Sequence, residues 1–260
     1  MRLATHVAGD GPSVVWLHGY TMDSTTWRGL WSLLPGWRHV GVDLPGHGRS
    51  APLEPGATLP DAAAAVAGII REHDATRLVA LSFGTILALQ VVLDEPDLVD
   101  TLVLAAPALG GGATEPGAAE RYRELVRLYR ERAPATRLTD TWMQSPPDIF
   151  RGTELRPVLR FALRQVIMRH RWTELGDGSI ATMASYVQRP DDLARVRARL
   201  QVLVGDQEMP VTRQVSALMA RTAPDARLDV LPGAGHLCLL EAPESAAPLI
   251  AEHLRQLAPR

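Results

Sequence analysis

Residues 77–94 read RLVALSFGTILALQVVLD and join a short apolar run to a longer one through Ser82 and Gly84. Residues 77–81 have the length of a buried strand, and the second run has the length of a helix. A serine on so sharp a strand-to-helix turn projects its hydroxyl above the sheet, beside the free backbone N–H groups of the helix N-terminus. The usual motif has glycine where this chain has Ala80. The stretch therefore predicts Ser82 as a nucleophile on an α/β scaffold.

Apolar runs of similar length recur along the chain with helical segments between them, which predicts a mostly parallel sheet flanked by helices. The runs lack strict polar alternation, as expected for strands that are covered on both faces. Such sheets bind ligands beyond the carboxyl ends of their strands. The predicted strands are 13–17, 39–42, 77–81, 101–105, 201–204 and 227–231. The predicted helices are 23–34, 59–73, 84–94, 211–222 and 241–257.

The strand–helix alternation stops after Pro107 and resumes after Pro190. A Gly-rich hinge leads into a helical, Arg-rich segment, which we expect to lie over the strand ends as a lid. We therefore divide the chain into a core (residues 1–111 and 189–260) and a lid (residues 112–188). A peripheral helical layer without a gating role is the alternative. The lid residues expected to face the substrate are Trp142, Met143 and Tyr186.

Two further motifs directly follow predicted strands. In His18-Gly19-Tyr20, the backbone N–H of Tyr20 can converge with that of Phe83 on a developing oxyanion. We expect His18 to brace this loop rather than to transfer a proton. His236 lies on a Gly-rich loop after the last predicted strand, where a histidine can reach the hydroxyl of Ser82 as a general base.

The acid that orients His236 has two candidates. The strand 201–204 ends in GDQEMP, which offers Asp206 and Glu208. The acid must hold the imidazole in the correct tautomer from beyond the strand end. Asp206 follows the strand-end glycine immediately and can instead cap the turn, whereas Glu208 lies further along. The residues themselves leave the choice open.

Together these motifs resemble the lid-bearing, esterase- and lactonase-like proteins of the α/β-hydrolase fold, and the resemblance covers nearly the whole chain. It implies a mostly parallel sheet flanked by helices, with a helical lid inserted after the sixth strand. In similar proteins the triad acid lies three residues after the strand-end glycine and is usually aspartate; Glu208 matches that place but not that residue type. The resemblance thus implies Glu208 as the acid, with Asp206 as the alternative. The order Ser82, acid, His236 is the order of this family. The resemblance rests on LHGYTMDSTTW (17–27), DLPGHGRS (43–50), ALSFG (80–84), VGDQEMP (204–210) and LPGAGHLCLLEAPE (231–244).

Composition excludes several kinds of chemistry. All 27 basic residues are arginine, which rules out a Schiff-base lysine and a pyridoxal-phosphate anchor. The net charge of −2 gives no argument for nucleic acid or a membrane as partner. The single cysteine, Cys238, excludes an internal disulfide and fits a reducing compartment, so we expect a cytoplasmic protein. As a separate expectation, the protein is a monomer or homodimer. No motif indicates a cofactor or a metal ion.

The sequence thus predicts a cofactor-free serine hydrolase with a catalytic triad. Ser82 attacks an ester, lactone or thioester of a small-to-medium apolar acyl group, and water releases the acyl-enzyme. The alternative is an acyltransferase that moves an acyl group from a carrier-protein or CoA thioester to an alcohol or amine. Less favoured are a C–C bond hydrolase, a cofactor-free perhydrolase and a non-catalytic ligand receptor. Residues 115–188 carry 12 arginines against 9 acidic residues, so an acidic acyl carrier protein is a candidate partner at the lid.

Overall fold

The computed structural model describes residues 1–256 and arranges seven strands in one sheet, in the order β1-β3-β2-β4-β5-β6-β7. Only β1 runs antiparallel to its neighbour, β3; all other pairs are parallel. The strands are β1 (Thr5–Ala8), β2 (Ser13–Leu17), β3 (Arg38–Val42), β4 (Arg77–Leu81), β5 (Thr101–Ala105), β6 (Arg199–Gly205) and β7 (Ala226–Leu231). The last four residues of the predicted core, including Leu257 of the predicted final helix, lie outside the described residues.

The predicted mostly parallel sheet flanked by helices is confirmed, with one strand more than the sequence indicated. The central strands β2 and β5 are buried at every position, which is why they read as continuous apolar runs. The additional strand, β1, is a four-residue edge strand that is half buried at most, so it carries no such run. With β1 counted, the strand at residues 101–105 is the fifth in chain order. The helical insertion therefore follows the fifth strand, not the sixth as the resemblance implied.

The helices of the core cover both faces of this sheet. A capping box between Thr58 and Asp61 opens α2, and α3 is buried on nearly every side. The predicted helix 23–34 is split, because Asp23 caps a 3-10 turn at Ser24–Trp27 before α1 begins. The core helices are α1 (Arg28–Trp31), α2 (Leu59–Glu72), α3 (Phe83–Asp94), α9 (Pro210–Thr222), α10 (Cys238–Glu241) and α11 (Pro243–Arg255).

A helical segment lies between β5 and β6, where the sequence places the lid. Its apolar side chains, among them Leu125, Phe150 and Trp172, pack into the same cluster as Trp16 and Leu81 of the sheet. Its helices are α4 (Ala118–Arg130), α5 (Ala135–Trp142), α6 (Pro157–Met168), α7 (Glu174–Asp177) and α8 (Ser179–Ser185). The boundaries at 112 and 188 and the gating role stay predictions.

Within residues 1–256, none of the helices has both the length and the apolar character that a membrane span requires.

Candidate active site

Ser82 is the single residue between β4 and α3, and its backbone is strained. Its φ of 53° and ψ of −122° place a non-glycine residue in the positive-φ region, which costs on the order of 1–3 kcal/mol. The Ser82 N–H donates to Ala105 O at 2.9 Å, and Thr85 N–H donates to Ser82 O at 2.8 Å. A Cβ at Gly84 would lie 2.6 Å from the carbonyl oxygen of His18, so the close approach of the two chain segments requires glycine there. The turn thus presents the serine side chain beyond the strand end.

The structure brings His236 to Ser82. His236 lies on the loop between β7 and α10, is 6% exposed, and places Nε2 2.7 Å from Ser82 Oγ. The carboxylate of Glu241 anchors this loop, because it accepts the N–H groups of Gly235 (2.6 Å) and Leu237 (3.2 Å), which flank the histidine. Two backbone donors on a buried carboxylate fix the path of the loop and hence the position of the ring.

Of the two candidate acids, only Glu208 reaches His236. Its Oε1 lies 3.0 Å from His236 Nδ1 and also accepts the N–H of Met209 at 2.8 Å. Glu208 is 4% exposed, whereas Asp206 is exposed and its carboxylate has no hydrogen-bond partner in the described part of the chain. The geometry therefore favours Glu208 as the residue that orients the imidazole.

The electrostatics suit a histidine base. Burial lowers the pKa of His236, but the charge of Glu208 and its hydrogen bond outweigh this effect, with smaller contributions from Glu241 and Glu115. The net result is a pKa above the usual value of a histidine. A base whose conjugate acid is stabilised in this way accepts the serine proton more readily.

The peptide group between Gly19 and Tyr20 is held from its carbonyl side. Gly19 O accepts His18 Nδ1–H at 2.8 Å and Met22 N–H at 3.2 Å, while His18 Nε2 accepts Leu44 N–H at 3.1 Å. His18 is fully buried, and burial lowers its pKa, consistent with the neutral tautomer that these partners require. In a trans peptide the N–H points away from the carbonyl, so the Tyr20 N–H faces away from His18.

The two predicted oxyanion donors flank the serine. A Cβ at Gly19 would lie 3.4 Å from Ser82 Cβ, so the loop passes directly against Ser82. The rings of Tyr20 and Phe83 are edge to face, with centroids 6.3 Å apart. Neither backbone N–H has an acceptor within residues 1–256, which leaves both free for a ligand.

The three predicted substrate-binding residues occupy different settings. Trp142 adjoins the oxyanion loop: its indole N–H donates to Thr21 Oγ1 at 2.8 Å, and its ring lies 5.2 Å from that of Tyr20. Met143 is 5% exposed and packs in the cluster beneath the lid. Tyr186 is 39% exposed, and its side chain makes no hydrogen bond or ring contact with the described site residues. The structure therefore places Trp142 next to Tyr20, and substrate contacts of Trp142, Met143 and Tyr186 stay predictions.

Sequence reasoning missed a buried pair in the lid. His170 Nε2 donates to Glu174 Oε1 at 2.9 Å, and the same oxygen accepts the hydroxyl of Tyr20 at 2.6 Å. The spacing of four residues between a histidine and a glutamate was the available signal, but such pairs are common on exposed helix faces. No group of three His, Cys, Asp or Glu side chains in the described chain is arranged to hold a metal ion.

A sequence model of the alpha/beta hydrolase family matches residues 14–249. Among solved structures, that of a thermophilic esterase from Thermogutta terrifontis superposes with a TM-score of 0.79 at 25% identity, covering 99% of this chain and 94% of that one.

Curated relatives have several activities. The chain is 28% identical over 249 residues to the dihydrolipoyllysine-residue acetyltransferase component of the acetoin cleaving system of Cupriavidus necator, covering 95% of this chain but only 64% of that protein. It is 27% identical over 251 residues to 2-succinyl-6-hydroxy-2,4-cyclohexadiene-1-carboxylate synthase of an Enterobacter species, covering 94% and 92%. Over 109 residues it is 36% identical to the pimeloyl-[acyl-carrier protein] methyl ester esterase of Aeromonas hydrophila, covering 41% and 42%. By their printed names these relatives are an acetyltransferase component, a synthase and an esterase, and the last acts on an acyl-carrier-protein methyl ester.

Proposed function

The chain belongs to the alpha/beta hydrolase family, and on that premise we propose that it cleaves an ester, lactone or thioester through an acyl-enzyme on Ser82. The observation that carries the proposal is the continuous relay from Ser82 Oγ through His236 to Glu208, with links of 2.7 and 3.0 Å. Serine, histidine and carboxylate within hydrogen-bond reach of one another form the arrangement that activates a serine hydroxyl.

In the proposed reaction, His236 Nε2 takes the proton of Ser82 Oγ as the oxygen attacks the substrate carbonyl. Glu208 stabilises the imidazolium that forms and keeps Nδ1 protonated. The N–H groups of Tyr20 and Phe83 donate to the oxyanion of the tetrahedral intermediate. His236 then returns the proton to the leaving group, and the same base activates the water that hydrolyses the acyl-enzyme.

The surroundings of Ser82 support a largely apolar acyl group. Phe83 follows Ser82 directly and Ile86 lies one turn further along α3; both side chains are buried, and Trp142 packs against the ring of Tyr20. Apolar walls with a few convergent polar groups are typical of small-molecule sites. We propose an acyl chain of small to medium size.

Covalent labelling tests this proposal. A fluorophosphonate should modify Ser82 and abolish turnover of p-nitrophenyl esters, and Ser82→Ala should lose both labelling and turnover. Ser216→Ala is the matched control and should retain both, because Ser216 is buried on α9 and, among residues 1–256, its hydroxyl bonds only to Thr212 O. Turnover that survives Ser82→Ala would refute the serine mechanism. Labelling without hydrolysis, but with acyl transfer to an added alcohol or amine, would establish the acyltransferase instead.

We further propose that an acidic acyl carrier protein docks on the lid. A groove of about 800 Å³ between α4 and the α7–α8 region is lined by Arg123, Arg127 and Arg130. Two acidic residues also line it: Glu131 pairs with Arg127, and Asp177 accepts the N–H of Ser179 but keeps its negative charge, so three arginines face two carboxylates. Arg123 and Arg130 are exposed and form no ion pair with the described residues, so the groove presents a net excess of one positive charge to a partner.

Charge reversal separates carrier docking from the chemistry. Arg123→Glu with Arg130→Glu should raise KM for an acyl-carrier thioester while leaving KM for a p-nitrophenyl ester unchanged. The wild-type KM for the carrier substrate should also rise with salt, because salt screens exposed charges. Equal effects on both substrates, or none on either, would exclude the groove as a carrier site.

A cytoplasmic location and a monomeric or homodimeric state complete the proposal. Cys238 is the only cysteine, and it is buried, a usage that fits a reducing compartment. Cell fractionation and light scattering of the purified protein measure the two properties directly.

A further inference from the structure

The lid contacts the oxyanion loop through one buried carboxylate. Glu174, at the start of α7, accepts the hydroxyl of Tyr20 at 2.6 Å and the Nε2–H of His170 at 2.9 Å, both on Oε1. Glu174 is 2% exposed and His170 is 6% exposed. Tyr20 and Glu174 are 154 residues apart in sequence, so this bond joins the core to the lid.

Burial of the Glu174 carboxylate favours keeping the hydrogen bond from Tyr20. A buried carboxylate is unfavourable unless it is hydrogen-bonded, and Oε2 of Glu174 has no partner within residues 1–256. The Tyr20 hydroxyl therefore supplies one of only two donors to this charge. Burial, and then the charge of Glu174, raise the pKa of Tyr20 well above its usual value, so the phenol keeps its proton and remains a donor.

The side chain of Tyr20 is confined by neighbouring rings, with its hydroxyl as the polar anchor. Trp142, His170 and Phe83 surround the Tyr20 ring edge to face, with centroids 5.2, 5.8 and 6.3 Å away. On the backbone, Thr21 Oγ1 donates to Tyr20 O at 2.6 Å. His18 thus fixes the peptide group before Tyr20, and Glu174 fixes the far end of its side chain.

We propose that Glu174 is a positioning residue for the oxyanion hole: by holding the Tyr20 side chain at its hydroxyl, it fixes the direction of the Tyr20 N–H together with the hydrogen bonds that hold Gly19 O. This inference rests on the proposed function, since it assumes that Ser82 forms an acyl-enzyme. It follows that the oxyanion donor is in place when the segment from His170 to Glu174 is docked on the core. Docking of the lid and stabilisation of the transition state are then linked by this hydrogen bond.

Steady-state kinetics of two single variants and their combination test the link. Glu174→Ala and Tyr20→Phe should each lower kcat about tenfold, with KM nearly unchanged, because a misdirected donor weakens transition-state binding more than substrate binding. The double variant should lose no more than either single variant, since both remove the same bond. Glu174→Gln should restore most of kcat, because its amide oxygen can accept from Tyr20 and His170.

A boronic acid inhibitor gives a second readout that a purely structural role would not move. Its tetrahedral adduct on Ser82 places an oxygen in the oxyanion hole, so its Ki should rise by the same factor as kcat falls. Arg169→Gln is the matched control: it breaks another lid-to-core contact, Arg169 Nη2 to Asp23 Oδ2 at 2.9 Å, and should leave kcat and Ki unchanged.

The outcomes that overturn the inference are distinct. An unchanged kcat in Glu174→Ala, additive losses in the double variant, or an equal loss in Arg169→Gln would each refute the positioning role. If Glu174→Ala does not fold, Tyr20→Phe and Glu174→Gln carry the same test. Turnover that persists in Ser82→Ala would instead refute the proposed function on which the inference rests.

Discussion

The serine turn and the lid belong to one site but are encoded in different ways. At residues 77–94 the backbone itself is restricted: Ser82 has a positive φ, and Gly84 lies against the carbonyl of His18. Only certain residue types fit such a turn, so it leaves a motif in the sequence. In the lid, contacts such as Glu174 with Tyr20 join side chains 154 residues apart, and neither residue has a positive φ that would mark its position in the sequence.

The difference teaches where sequence motifs can and cannot be found. A motif records positions at which the backbone allows few alternatives, whereas a contact between two side chains can be made by many residue pairs. Variants of the serine turn and of its partners should therefore have large effects that conservative substitution does not relieve. Variants of the lid surface should have small effects.

The largest effect is expected from substitution of Glu208, the acid proposed to orient His236. Glu208→Gln should lower kcat about 10³- to 10⁴-fold, because the imidazole loses the anion that fixes its tautomer and stabilises its charge. Asp206→Asn is the matched control and should leave kcat within a factor of two, as its carboxylate lies in solvent without a partner among residues 1–256. The reverse outcome would transfer the role to Asp206.

The pH profile of kcat/KM sharpens this prediction. Activity rises as His236 loses its proton, and Glu208 is the main cause that raises the pKa of this histidine. Removing the negative charge lowers that pKa, so the acid limb of the profile should move to lower pH in Glu208→Gln. A limb that stays in place, or moves to higher pH, would show that another group governs it.

The sequence was sufficient for most of the fold. Six of the seven strands were predicted, because buried parallel strands form unbroken apolar runs. The edge strand Thr5–Ala8 was not, since a short, half-exposed strand has no such run. The split of the helix after Asp23 was also missed, because local capping by a side chain overrides helical periodicity.

The candidate site was predictable only in part. The serine turn and the histidine loop lie at strand ends, where topology brings them together, and this placed Ser82 next to His236. Between Asp206 and Glu208, only the position that similar proteins use favoured Glu208, because the direction of the two side chains in this turn is not specified by the residues themselves. The hydrogen bond of Glu174 with Tyr20 could not be predicted, because the two residues lie 154 positions apart in the sequence.

A smaller but still measurable effect is expected at Gly84. A Cβ there would lie 2.6 Å from His18 O and 2.8 Å from Leu17 O, and backbone atoms cannot move aside easily. Gly84→Ala should lower the free energy of unfolding by about 1–3 kcal/mol. Gly68→Ala is the control, because Gly68 is exposed on α2 and a Cβ there would have no atom within 4 Å. This substitution should raise the free energy of unfolding by about 0.5–1 kcal/mol. Urea denaturation measures both, and similar changes in the two variants would contradict the crowding argument.

The smallest effect is expected on the lid surface, at the ion pair of Arg127 and Glu131. The pair spans one turn at the end of α4 with an N···O distance of 2.7 Å, but its side chains are 56% and 55% exposed. Exposed pairs at this spacing contribute about 0.3–0.5 kcal/mol, and this one has the less favourable order, with the arginine first. Glu131→Gln should therefore leave the urea midpoint almost unchanged. A decrease in the free energy of unfolding of more than about 1 kcal/mol would contradict the small effects expected of the lid surface.

The same substitution should lower KM for an acyl-carrier thioester, because Arg127 loses its partner and the groove gains positive charge. An unchanged KM would count against carrier docking at this groove.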